Sequence, residues 1–303
     1  MKVVVTGGAG FIGSHINKAL LDVCHQVKVI DNLSRATKAN LDERAEFVQT
    51  DISSPELSRE LQGYDAVIHL ANYIIVPESV ENPVEYAENN VVGTVKLLES
   101  MRKAGVKKII FSSSATVYGD SADLPLKEDS PLGVQTNQYG ASKVAMEAFI
   151  SVYNKLYNFD VIHLRYFNPF GPFEDHKPET HAIPNFIKST LKKEPIPLFW
   201  NGEQVRDFIY VEDLASAHVS VLETKGLEIF NVGTETGTKV KDVVEAIFEI
   251  VGYRVEIKDL GERAGDAHAT YASSQKLMQK TAWRPKTSLR DGLAKTIEYF
   301  KVN

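Results

Sequence analysis

Lys2-Val3-Val4-Val5-Thr6-Gly7-Gly8-Ala9-Gly10-Phe11-Ile12-Gly13-Ser14-His15 sets three kinds of sequence in close succession. The β-branched run Val3-Val4-Val5 reads as a buried parallel strand. Glycines follow, and from about Phe11 the apolar residues Ile16, Ala19, Leu20 and Val23 recur at helical spacing. Strand, glycine turn and helix together present backbone N–H groups and the positive end of a helix dipole to a pyrophosphate. Gly8-x-Gly10-x-x-Gly13 fits the general dinucleotide fingerprint, and the overlapping Gly7-x-x-Gly10-x-x-Gly13 fits a variant of it. A glycine turn without a ligand is the competing reading; the flanking strand and helix favour the dinucleotide. Gly7, Gly10, Phe11, Ile12 and Gly13 are therefore candidate cofactor contacts.

The second half of the fingerprint follows. Gln26-Val27-Lys28-Val29-Ile30 reads as a second strand, and Asp31 stands at its carboxyl end, 18 positions beyond Gly13. An acidic residue about 20 positions downstream accepts hydrogen bonds from the adenosine ribose and repels a 2′-phosphate. The expected cofactor is NAD rather than NADP. A turn or cap is the plainer role for such an Asp.

Composition narrows the class. The 303 residues are 43% apolar and 24% charged, with a net charge of −6 and scattered Lys and Arg. That suits a globular chain of one large or two smaller units and gives no sign of a nucleic-acid partner. Cys24 is the single cysteine, which excludes an intrachain disulfide and a multi-cysteine metal site. No apolar run reaches membrane-spanning length, and the first residues lead directly into a core strand. The expectation is a cytoplasmic protein with no membrane partner.

Further strand-like runs alternate with helical ones to about residue 165: Glu46–Gln49, Ala66–Leu70, Lys107–Phe111 and Val161–Arg165. Parallel strands need helical crossovers, so this alternation predicts an α/β fold with a doubly wound (Rossmann) parallel sheet. Ligands of such sheets lie at the carboxyl ends of the strands. That rule gathers Asp31, Asp51, Ala71-Asn72, Ser112–Ser114 and Phe167-Asn168 into one rim. Helices are expected over 84–103 and 138–157. The first carries an apolar stripe of Val84, Ala87, Val91, Val95, Leu98 and Met101, the second one of Ala145, Phe149, Val152 and Leu156. Either stripe is a core or a subunit-contact face. From Gly171 prolines break the alternation, so residues 1–170 read as the dinucleotide-binding domain and 171–303 as a smaller substrate-binding domain. A strand near 228–233 returns to the main sheet, which interleaves the two. Amphipathic helices are expected over 239–251 and 288–301.

Tyr139-Gly140-Ala141-Ser142-Lys143 places a phenol and an ammonium at i and i+4, side by side on one helix face. A phenol with a pKa of about 10 is a poor base at neutral pH, and a nearby cation favours its phenolate. A solvated Tyr and Lys would be the bland alternative. Their position after a strand ending in Ser112-Ser113-Ser114 favours chemistry.

The glycine turn, Asp31, Ser114 and the Tyr139–Lys143 pair together resemble the extended short-chain dehydrogenase/reductase family, in particular its nucleotide-sugar epimerase/dehydratase branch. The similarity runs from Val3 to about Trp283. It implies that Tyr139 exchanges the proton of a sugar hydroxyl while C4 delivers hydride to NAD, that Lys143 holds the nicotinamide ribose and lowers the Tyr139 pKa, and that Ser114 binds the same sugar oxygen. Asp31 with Asn32, Asp51 with Ile52, Leu70 with Ala71, Asn90 and Phe167 match further cofactor positions. Asn168, Phe199, Arg206, Arg263 and Asp266 match positions that hold the nucleotide diphosphate, uracil and uridine ribose, and guanidinium forks suit a dianionic diphosphate. Ala115-Thr116 stands where 4,6-dehydratases carry Asp-Glu, and the surrounding Phe111–Gly119 segment is similar to that of UDP-hexose 4-epimerases. The implied reaction is a redox-neutral C4 epimerisation of a UDP-sugar, with a homodimer as the implied assembly.

The chain departs from the family pattern at Asn72 (usually Ala or Gly), Ile74 (Lys in many galactose-type epimerases), His181-Ala182 (a common Asn-Leu pair) and Thr270. The last occupies the gate to the C2 substituent, and its small size leaves room for an N-acetyl group. Asp175, His176, Glu179 and His181 lack an ordered ligand spacing, so no metal site is expected. His69, on a buried strand, reads as a core residue. Rival readings are another epimerase, dehydrogenase or reductase of the branch, and a non-catalytic NAD sensor; retention of Ser114, Tyr139 and Lys143 disfavours the sensor.

Overall fold

The structure, a computed structural model, describes residues 1–120, 123–175, 181–262 and 267–302. Seven parallel strands form the main sheet: β1 (Lys2–Thr6), β2 (Gln26–Asp31), β3 (Glu46–Gln49), β4 (Ala66–His69), β5 (Lys108–Ser114), β6 (Asp160–Tyr166) and a returning strand, Leu227–Val232. Their spatial order is returning strand, β6, β5, β4, β1, β2, β3. The strand that starts the chain thus lies near the middle, where the order reverses, which is the position that opens a ligand crevice at the carboxyl ends.

Period-two alternation explains the unbroken apolar runs. Val3 and Val5 point into a core with Ile16, Leu20, Leu214 and Phe230, on the side covered by α1 (Phe11–Asp22) and the helix Val211–Ser220. Val4 points to the opposite core with Leu97, Met101, Ile109 and Ile150, under the helices Gly93–Ala104 and Gln138–Tyr157. Because helices cover both faces, no position in β1 after Lys2 is left polar by exposure.

A third core, with Phe170, Ile183, Ile187, Ile247, Phe248 and Leu293, lies in the later part of the chain. Three small sheets surround it. Asn168–Phe170 pairs in parallel with Phe208–Tyr210, and Ile196–Leu198 with Ile257–Asp259. Val205–Arg206 is flanked by Thr238–Lys239 and Ala269–Thr270. The helices Val240–Val251 and Leu289–Val302 lie within a residue of the spans expected from sequence.

The expected helix over 84–103 differs in detail. Pro83–Tyr86 is α-helical, Ala87–Val92 makes a π-helical turn and Gly93–Ala104 resumes the α-helix. A π turn inserts extra backbone into a helix and recurs at functional sites; this one carries Asn90. The apolar stripes divide: Leu98 and Met101 of the first are buried in the core, whereas other positions of both stripes are exposed. Val84 is 67% exposed, Phe149 and Val152 48% each and Leu156 61%, while Met146, Ile150 and Tyr153 supply the buried face of the long helix. Among the described residues no helix is long and apolar enough to cross a membrane.

Candidate active site

The glycine turn connects β1 to α1 through backbone that only glycine tolerates. Gly7 has φ +71°, and a Cβ there would lie 2.7 Å from the Ala71 nitrogen. At Gly13 a Cβ would meet the Gly7 carbonyl oxygen at 2.5 Å, so the first turn of α1 packs directly on the loop. Gly10 caps α1 without a side-chain hydrogen bond, and no acidic residue lies in the first turn. The N–H groups of Phe11, Ile12 and Gly13 therefore start the helix with the positive dipole end uncompensated, which fits a pyrophosphate.

Asp31 ends β2 and is buried. Its carboxylate accepts from the Ala9 N–H at 3.1 Å and the Leu33 N–H at 2.8 Å, tying the glycine turn to the loop after β2. Burial pushes its pKa up, and these two bonds oppose the shift. Asn32 Nδ2 donates to Asp51 at 2.8 Å, while Ile52 is buried against Gly93. Leu70 and Ala71 lie against Gly7. Asn90 is fully buried: it accepts from the Tyr73 N–H at 2.8 Å and donates to the Tyr73 carbonyl and to Ser142 Oγ, each at 3.0 Å. The loop after β4 is thus fastened to the helix that bears Tyr139 and Lys143.

That helix starts where Asn137 accepts from the Gly140 N–H at 2.9 Å, which puts Tyr139 in the first turn and Lys143 one turn later. β5 brings Ser114 to the same place. The Lys143 ammonium donates to the Ser112 carbonyl at 2.6 Å and lies 5.8 Å from the centre of the Tyr139 ring. Burial lowers the Lys143 pKa to about 7, opposed by the Glu147 charge. Burial raises the Tyr139 pKa, opposed by a hydrogen bond with Ser114. In the polypeptide without cofactor, desolvation is the largest influence on the Tyr139 phenol and raises its pKa.

Behind this group lies a network that the sequence reading missed. Arg165 on β6 grips Glu147 with Nε at 2.9 Å and Nη2 at 2.8 Å, and Ser113 donates to the same carboxylate at 2.5 Å. Glu147 follows Lys143 by four positions, so the spacing was available as a signal. Asp207, also missed, is fully buried and accepts from Thr234 N–H and Oγ1, Glu235 N–H and Ala272 N–H. It clamps the segment after the returning strand beside Arg206. Nothing local in the sequence marks it.

The substrate-side candidates are placed unequally. Phe167 is buried, whereas Asn168 is exposed and its N–H donates to the Asp207 carbonyl at 2.9 Å. Phe199 is half-buried just before the turn Trp200–Gly202. Arg206 and Thr270 are direct cross-strand partners. Arg263 and Asp266 lie outside the described residues, as do His176 and Glu179. Among the described residues no group of three His, Cys, Asp or Glu side chains could hold a metal. His69 bridges Thr6 and Thr94 at 2.8 and 2.9 Å, a satisfied core histidine with its pKa pulled down to about 3 by burial and by the charge of Lys143.

A glycine turn suited to a pyrophosphate and a Ser–Tyr–Lys group on the same rim fit the class of dinucleotide-dependent enzymes. The model of the NAD dependent epimerase/dehydratase family matches residues 3–233. The chain is 37% identical over 306 residues to the UDP-glucose 4-epimerase of Lactobacillus helveticus, covering 94% of this chain and 92% of that one. It superposes on the UDP-glucose 4-epimerase of Thermotoga maritima, solved with UDP-glucose, with TM-score 0.95, 36% identity and coverage of 100% and 99% of the two chains. For the UDP-N-acetylglucosamine 4-epimerase of Methanobrevibacter ruminantium M1, in complex with UDP-N-acetylmuramic acid, the TM-score is 0.94, with 35% identity and coverage of 99% and 98%. The chain belongs to the NAD-dependent epimerase/dehydratase family. It is an enzyme of the UDP-glucose 4-epimerase type, an isomerase, and its cofactor is NAD.

Proposed function

We propose that the protein interconverts the C4 epimers of UDP-hexoses, taking UDP-glucose and UDP-galactose and also their N-acetylamino counterparts. The observation that carries this reading is the Ser114–Tyr139–Lys143 group beside Ala115-Thr116, a neighbourhood with one acid–base phenol and no carboxylate at the two following positions. Loss of water from a sugar needs a further acid and base, and Ala115 and Thr116 provide neither.

The glycine turn, Asp31 and Lys143 would hold NAD, which would supply a hydride acceptor and donor for C4 and a positive charge favouring the Tyr139 phenolate. Tyr139 removes the proton of the 4-hydroxyl and later gives it back. Ser114 hydrogen-bonds the same oxygen and keeps it in line with the phenol. Lys143, whose ammonium donates to the Ser112 carbonyl, would hold the cofactor ribose beside the phenol. Arg206, with Arg263, receives the diphosphate, Phe199 flanks the uracil, Asn168 contacts the diphosphate and Asp266 the uridine ribose. A second copy of the chain covers the exposed face formed by Val84, Phe149, Val152 and Leu156, so the native mass is that of a dimer.

Thr270, the cross-strand partner of Arg206, supports acceptance of the larger sugars, because the resemblance places it at the gate to the C2 substituent and its side chain is short. Thr270→Tyr is expected to cut kcat/KM for UDP-GlcNAc by about tenfold or more, on the order of a steric penalty of a few kcal/mol, while UDP-glucose turnover persists. Equal losses on both substrates would remove Thr270 as the gate.

A further inference from the structure

Asn72 stands at the cofactor rim with both polar atoms of its side chain unpartnered within the chain. Its Oδ1 and Nδ2 are both buried, and neither has a hydrogen-bond partner. A buried carboxamide without partners is costly and calls for a specific explanation, an ordered water or a bound ligand among them. Its backbone position is fixed from both sides. The Asn72 N–H donates to the Leu70 carbonyl at 2.7 Å, which folds the chain sharply at Ala71, the residue packed on Gly7. The next residue, Tyr73, is held at its N–H and its carbonyl by Asn90, which also reaches Ser142, the neighbour of Lys143. Asn72 therefore stands between the phosphate-facing glycine turn and the helix of Tyr139 and Lys143.

A dinucleotide with its pyrophosphate at the start of α1 and its reactive ring at Tyr139 carries its second ribose across this interval. The chemistry of the orphaned group agrees. A phosphate accepts only and would leave Oδ1 unpaired, whereas ribose hydroxyls both donate and accept. We propose that the Asn72 carboxamide binds the nicotinamide ribose of NAD, with Nδ2 donating to one hydroxyl oxygen and Oδ1 accepting a hydroxyl proton. Asn72 is then a cofactor-holding group contributed by a side chain, in addition to the backbone of the glycine turn. The inference rests on NAD as cofactor and is independent of which UDP-sugar is the substrate.

The test uses the full-length chain with Asn72→Leu, nearly isosteric but apolar, and Asn72→Ala. NADH affinity is read from nicotinamide fluorescence, and ADP-ribose and ADP are measured by competition against it. Both variants are expected to bind NADH and ADP-ribose about tenfold more weakly, the effect of one lost paired group in a buried site, and to bind ADP as before. ADP-ribose carries the second ribose and ADP does not, so a structural disturbance of the turn would weaken both alike. Unchanged NADH affinity, or an equal loss toward ADP, overturns the assignment. A loss confined to UDP-hexose affinity also overturns it and moves Asn72 to the sugar. Agreement between the Leu and Ala variants excludes packing as the cause.

Discussion

Tyr139→Phe is expected to lower kcat by about 10³-fold, within the range of a lost general acid–base group, while NADH binding is retained. The substitution keeps the ring and removes one oxygen. Of its two neighbours among the described residues, Ser114 is a hydroxyl that is a weaker acid than a phenol, and Lys143 donates to the Ser112 carbonyl at 2.6 Å. Burial works against the charged form of both titrating partners, raising Tyr139 and lowering Lys143 to about 7. Burial alone thus disfavours the phenolate, and the proposed role of Tyr139 as a base relies on the positive charge that bound NAD would bring. Steady-state rates with UDP-glucose and NADH fluorescence on the same variant check this. A loss of less than about tenfold in kcat would place the proton transfer elsewhere.

Glu147→Ala is expected to destabilise the fold by about 3–5 kcal/mol, because it leaves the Arg165 guanidinium buried without its counter-charge. The side chains of the pair are 7% and 3% exposed, and Arg165 holds the carboxylate with two parallel bonds. Burial works against the Glu147 charge, but the Arg165 hydrogen bond, the nearby charges and Ser113 outweigh it, so its pKa falls below the ordinary 4.5. A carboxylate with a lowered folded-state pKa contributes stability that is present above 4.5 and lost as pH falls through the folded value. The variant's deficit is accordingly largest at neutral pH and shrinks in acid. Glu147 also opposes the lowering of Lys143, so its loss weakens the ammonium further. Urea unfolding of wild type, Glu147→Ala and the apolar double replacement Glu147→Leu with Arg165→Met measures the effect. The double variant is expected to regain much of the loss, since two matched apolar side chains leave no buried charge. A single-variant loss below about 1 kcal/mol would show that water reaches Arg165.

The main sheet was legible because its signals are local. Val3–Val5 and Ile109–Phe111 are strands by composition, and the glycines at 7, 10 and 13 are fixed by contacts within a few residues or with the adjacent strand. Tyr139 and Lys143 were legible for the same reason, being one helical turn apart. The π turn at Ala87–Val92 was not: it carries Asn90, whose partners Tyr73 and Ser142 lie 17 and 52 residues away. The stripe of Phe149, Val152 and Leu156 was visible by periodicity, but periodicity does not say which apolar face turns inward, and here Met146, Ile150 and Tyr153 do. Glu147 and Asp207 escaped notice because an acidic residue on a helix or in a turn is ordinarily solvated. Only the tertiary approach of Arg165, Thr234 and Ala272 makes them structural.

The central claim, redox-neutral epimerisation at C4 with cofactor retained through the cycle, is tested most directly by incubating the purified protein, with no NAD added, with UDP-glucose and separately with UDP-GlcNAc. Products are resolved by anion-exchange chromatography while absorbance of the reduced cofactor is followed. Conversion of each sugar to its C4 epimer without accumulation of NADH is the predicted result. Stoichiometric NADH formation, or no conversion of either sugar even with NAD supplied, would contradict it.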